Sequence, residues 1–184
     1  MTEGKAGCRT GHRAEATPSA WIARFAALVP AGGPVLDLAA GGGRHSRLFL
    51  GRGHSVVALD RDVSTLAPIA DPRLEVVAAD LEAGRFPLAG RRFAAVVVTN
   101  YLHRPLLPAL VEAVAPGGLL LYETFAQGNE AFGRPSNPDF LLAPGELLEV
   151  VRGRLRVLAY EDLTVSVPRP AAAISAAPGA SPAS

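Results

Sequence analysis

Val35-Leu36-Asp37-Leu38-Ala39-Ala40-Gly41-Gly42-Gly43-Arg44-His45-Ser46 places an acid inside an apolar run, then three residues without side chains, then polar residues suited to open a helix. Such a turn lets the backbone approach a ligand closely and offers it unpaired helix N–H groups, as a nucleotide-type cradle requires. Two more acids follow apolar runs, Asp60 closing Val56–Asp60 and Asp80 closing Leu74–Asp80. In a parallel sheet all three acids reach one carboxyl edge, where ligands bind. A carboxylate there can accept both hydroxyls of a ribose, whereas a 2′-phosphate would want arginine, and Arg61 beside Asp60 blurs that distinction. Gly41, Gly43 and Ser46 also nearly fit the GxGxxG/A dinucleotide fingerprint. The turn alone therefore leaves a nicotinamide-dependent oxidoreductase open, and each acid taken singly can equally cap a helix.

The elements that must carry these residues alternate along the chain. Short apolar runs, Val35–Ala39, Val56–Asp60, Leu74–Asp80, Phe93–Thr99 and Leu119–Thr124, read as buried strands. Between them Arg44–Arg52, Val63–Ile69 and Pro105–Ala115 have the length of crossover helices. Alternation of this kind predicts an α/β fold, a three-layer, doubly wound, mostly parallel sheet. Thr17-Pro18 suits a helix start, and Trp21, Ile22, Phe25 and Leu28 then recur at helical spacing. Later come a short helix near Pro144 and a strand around Leu155–Glu161. The domain is expected over residues 17–167, between a flexible leader at 1–16 and a low-complexity tail at 168–184. A weak last strand within Ala171–Ala176 competes with Pro168, Pro170, Pro178 and Pro182, which favour a frayed end and a truncated final strand pair.

Composition narrows the chemistry. The 184 residues are 49% hydrophobic and 19% charged, as a packed domain requires. Lys plus Arg is 18 and Asp plus Glu 17, so no global field selects nucleic acid or anionic membrane. Cys8 is the single cysteine, and His12, His45, His54 and His103 show no zinc-ligand spacing, so no metal is expected. No apolar run reaches the ~18 residues of a membrane span, and the expected address is cytoplasmic.

Together the motifs resemble the class I S-adenosylmethionine-dependent methyltransferases over roughly Val35 to Glu161. The likeness rests on Val35 to Gly43, on Val57-Ala58-Leu59-Asp60, on Ala79-Asp80-Leu81 and on Ala115-Pro116-Gly117-Gly118. Within that class it looks most like the small tellurite-resistance-type and other small-molecule methyltransferases. Ala39 stands where the usual first glycine falls, and Ala40 where a Cys or Ser is usual. The resemblance implies a Rossmann-like methyltransferase fold and S-adenosyl-L-methionine as cofactor. It implies Asp37 for the methionine ammonium, through the loop or water, with Ala39, Gly41 and Gly43 forming the cradle. It further implies Asp60, with Arg61 beside it, at the ribose, Asp80 and Leu81 at the adenine, and Asn100 and Tyr101 bordering the methionine moiety and the methyl group.

Methyl transfer needs alignment above all, and a base only if the nucleophile arrives protonated. His103, in Asn100-Tyr101-Leu102-His103-Arg104-Pro105, is the best-placed candidate base, with Tyr101 the second catalytic candidate. Glu123, leaving strand five, and Phe132 and Arg134, in the long loop that follows, are the acceptor-side candidates. The expected function is methyl transfer to a small-molecule acceptor, by a monomer or homodimer without nucleic-acid or membrane partners. An NAD-dependent oxidoreductase and a non-catalytic cofactor-binding module are the alternatives.

Overall fold

The computed structural model describes residues 17–165 and 169–178. Its centre is a seven-stranded sheet ordered β3-β2-β1-β4-β5-β7-β6. The strands are β1 (Val35–Leu38), β2 (Val56–Asp60), β3 (Leu74–Ala78), β4 (Phe93–Thr99), β5 (Val114–Phe125), β6 (Leu155–Val165) and β7 (Arg169–Pro178). The first five are parallel, and β7 runs antiparallel to both β5 and β6. The α/β, doubly wound reading holds.

Alternation along the strands divides the core. Leu36, Leu38, Val96, Val98, Leu120 and Tyr122 pack on one face, covered by α3 (Leu107–Glu112) and α4 (Glu146–Val151). Val35, Ala95, Val97, Leu119 and Leu121 pack on the other, covered by α1 (Ala20–Phe25) and α2 (Arg44–Gly51). Burying one such Leu or Val contributes about 1.5–3 kcal/mol, so losing either layer would unfold a domain of this size.

Several expectations are corrected. The tail read as frayed from Pro168 contains β7, which pairs with β5 from Leu120↔Ala176 to Phe125↔Ala171 and with β6 along its whole length. Its prolines sit where they cost least: Pro178 ends the strand, and Pro170 pairs near its start. Val63–Ile69 forms no helix. Asp62 Oδ1 accepts the Ser64 N–H, and the Leu66 and Ile69 N–H groups bond back three residues, giving successive tight turns. β3 is a sheet edge with largely exposed side chains rather than a buried strand. The first helix is capped by the Ser19 hydroxyl, which accepts from Trp21 and Ile22, and not by Thr17.

Candidate functional site: the carboxyl edge between β1 and β4

Chain order reverses between β1 and β4, the switch point at whose carboxyl ends open α/β sheets form their ligand crevice. Both strand ends leave through a non-glycine residue in the left-handed region, Ala39 at φ 54° after β1 and Asn100 at φ 55° after β4. For an alanine that conformation costs on the order of 1–2 kcal/mol, and such strain concentrates at functional sites. The Asn100 N–H bonds the Glu123 carbonyl, tying the end of β4 to β5.

The glycine turn is held from three sides. Asp60 Oδ2 accepts the Gly41 N–H at 2.8 Å, while its Oδ1 accepts from Asp62 at 3.0 Å. Thr65 donates its hydroxyl to the Gly41 carbonyl at 2.8 Å, and Arg47 reaches the Gly42 carbonyl at 2.5 Å. A Cβ at Gly43 would meet Ile69 Cδ1 at 2.6 Å and Leu66 Cδ2 at 2.8 Å, whereas at Gly41 it would meet nothing within 4 Å. The turn therefore packs tightly on its inner side at Gly43 and leaves open space beside Gly41.

Beneath it, Asp37 is 2% exposed. Its Oδ2 accepts the Ser46 hydroxyl at 2.6 Å, and a Ser46 backbone bond assists. Burial pushes its pKa up to about 7, against the lowering by Ser46 and Arg44. Asp37 thus braces the start of α2 from inside the strand and has no exposed face toward the crevice.

Tyr101 gathers the remaining acids. Burial raises its phenol to about 12, helped by the charges of Glu82, Asp80 and Asp60, with Arg61 opposing. The hydroxyl is buried without a hydrogen-bond partner. It stays protonated at neutral pH and has a proton to donate, so it suits a ligand acceptor atom better than base chemistry. Asp60, Arg61, Asp80 and Tyr101 therefore share one electrostatic neighbourhood. Asp80 is exposed two residues beyond β3, its Oδ1 accepting from Glu82, and Leu81 beside it is 8% exposed.

The other candidates are spread around this crevice. His103 is half-buried at the start of the 3₁₀ turn Arg104–Leu106 and makes no capping bond. Phe132 and Arg134 lie exposed in the loop after β5. Arg104 fixes that loop by donating to the Asp139 and Leu141 carbonyls and to both Glu146 oxygens. Glu123 is half-buried at the end of β5 and accepts from the Ser19 hydroxyl.

Sequence reasoning missed a second connection. His45 is 1% exposed, its Nε2 accepting the Ser19 N–H at 3.1 Å and its Nδ1 lying 3.4 Å from the Thr99 hydroxyl. Burial, then Arg44, lowers its pKa to about 3, so the ring is neutral. Thr99, His45 and Ser19 thus link the glycine turn's helix to Glu123 at the end of β5. Only the position of His45 behind the glycines hinted at this, since its partners are remote in sequence.

Among the described residues no group of His, Cys, Asp or Glu is placed to hold a metal ion, and no helix is long and apolar enough to cross a membrane.

No protein-family model and no curated protein matches the chain. Solved structures do. The glycopeptide N-methyltransferase MtfA is 26% identical over 85% of this chain and 89% of that one, with a TM-score of 0.58. Its complex with S-adenosyl-L-homocysteine is 25% identical over 94% of both chains, with a TM-score of 0.60. TehB from Haemophilus influenzae, 21% identical over 85% of this chain and 61% of that one, superposes with a TM-score of 0.66 and speaks to the fold. The fold is that of the S-adenosylmethionine-dependent methyltransferases.

Proposed function

We propose that this chain transfers the methyl group of S-adenosyl-L-methionine to a small-molecule acceptor. One observation carries the reading: a side-chain-free turn, open beside Gly41, whose amide is pinned by Asp60 at the β1/β4 switch point. Each Asp60 oxygen already accepts one backbone N–H and keeps a second lone pair, so the carboxylate can hold a ribose diol while fixing the turn. The unpaired Tyr101 hydroxyl, in the same neighbourhood, offers a donor. These residues fit an adenosyl group. MtfA has been crystallised with S-adenosyl-L-methionine, S-adenosyl-L-homocysteine and sinefungin, which supports the cofactor.

The cofactor supplies an activated methyl on a neutral leaving group, and the protein's task is chiefly alignment. In this reading Asp60 and Arg61 border the ribose and Asp80 with Leu81 the adenine. Asn100 and the strained Ala39 turn, with Gly41 and Gly43, surround the methionine portion. Asp37 acts on it only through the turn it braces. His103 is the candidate base at the carboxyl edge, and Phe132 and Arg134 are acceptor-side candidates on the loop that Arg104 anchors. We assign the enzyme to the cytoplasm, as a monomer or homodimer that engages no nucleic acid.

Thermal-shift measurements with S-adenosyl-L-methionine, S-adenosyl-L-homocysteine and NAD test the assignment, because a ligand bound only by the native state raises its Tm. The first two are expected to stabilise the protein. Stabilisation by NAD alone would replace this reading with the oxidoreductase.

A further inference from the structure

Beside the crevice a cavity of about 220 Å³ opens between α1 and the far strands, lined by Ala20, Trp21, Arg24, Glu123, Glu161 and Leu163 with Ala173. Its floor is one row across the sheet, since Glu123 pairs with Ala173 and Ala173 with Glu161. The small Ala173 is what leaves depth there. Arg24 pairs with Glu161 at 3.2 Å, and Glu123 accepts from the Ser19 hydroxyl. Two carboxylates and one guanidinium therefore line the cavity, an excess of one negative charge. The Ser19 hydroxyl accepts from Trp21 and Ile22, so its single proton goes to Glu123 Oε2, and Oε1 accepts from no described residue. Trp21 supplies an apolar wall, is 7% exposed, and has a buried indole N–H without a partner.

We propose that this cavity is the acceptor pocket and that it selects an amine, held as its ammonium by Glu123 against Trp21 and the apolar side chains of Ala20 and Leu163. A carboxylate in a part-buried cavity with an aromatic wall favours a cation over a neutral or anionic group of equal shape. The inference rests on the methyl-transfer reading and names its substrate class. For transfer, the ammonium first gives a proton to Glu123 or water. The freed nitrogen lone pair then forms the N–C bond as the S–C bond breaks, its electron pair staying on sulfur, and the product ammonium carries the new methyl.

Calorimetry on the full chain saturated with S-adenosyl-L-homocysteine tests this, using benzylamine, benzyl alcohol and benzoate as probes. Benzylamine is expected to saturate at about 1 mM or below, with the alcohol and benzoate at least roughly tenfold weaker. Glu123→Gln keeps an oxygen to accept from Ser19 and should lose that preference. Arg24→Ala, which frees Glu161, should strengthen benzylamine binding. Benzoate binding as well as benzylamine, no saturation by benzylamine, or an amine preference that survives Glu123→Gln overturns the assignment. Failure of S-adenosyl-L-homocysteine to bind, with the amine preference intact, overturns the methyl-transfer reading instead.

Discussion

The Ser46 hydroxyl donates to Asp37 Oδ2 at 2.6 Å in a site almost closed to solvent, joining the middle of β1 to the first turn of α2 beneath the glycines. The carboxyl pays for this position in its acidity. Folding raises its pKa from 3.8 to about 7, so the native state holds the proton more tightly than the unfolded chain. Its stabilising contribution is complete below about pH 4 and declines until about pH 7. Asp37→Asn, which can still accept from Ser46, is expected to abolish that decline. Denaturant midpoints of both proteins between pH 4 and 8 should converge at the acid end and separate in favour of the variant at the alkaline end.

His45 titrates with the opposite sense. Its folded value lies near 3, below the ordinary 6.5, so the stability it confers is present above pH 6.5 and lost as pH falls toward 3. His45→Ala leaves the Ser19 N–H without its acceptor and should cost about 1–3 kcal/mol at pH 7. Urea melts at pH 7.5 and 5 check both statements: the gap between variant and wild type should narrow at the lower pH.

Asp60 has two tasks, and two substitutions separate them. Asp60→Ala removes both the acceptor for Gly41 and the proposed ribose contact, and S-adenosyl-L-homocysteine affinity should fall by about 1–3 kcal/mol. Asp60→Asn keeps an acceptor for Gly41 and should lose less. Equal calorimetric affinities in all three proteins would reject the ribose role.

Truncation after Asp162 removes β7 and with it the hydrogen bonds that join β6 to the rest of the sheet. The shortened chain is expected to melt without a cooperative transition in scanning calorimetry. A wild-type melting profile would show that the strand contributes no stability.

How far the sequence carried the reading follows from what each element depends on. β1, β2, β4 and β5 are apolar runs whose own residues demand burial, and the Gly41–Gly43 turn is written in local chemistry, so both were legible. β7 was not, because Ala171–Ala177 has little strand preference of its own and is held by partners on both sides. The Val63–Ile69 segment misled for the reverse reason: its length suited a crossover helix, but Asp62 and Thr65 spend their side chains on backbone groups. Asp60, Asp80 and Tyr101 fell into one neighbourhood as their strand ends required. His45 did not announce itself, since Ser19 and Thr99 meet it only through the packing of α1 and β4 on α2.

The placement of β7 between β5 and β6 also sets an order of events during synthesis. β6 leaves the ribosome before the strand that will bond it, so its peptide groups have no sheet partner until later residues arrive. The Ala173 floor beneath Glu123 arrives with them, so the amine-selective chamber takes shape only after the five parallel strands have been made.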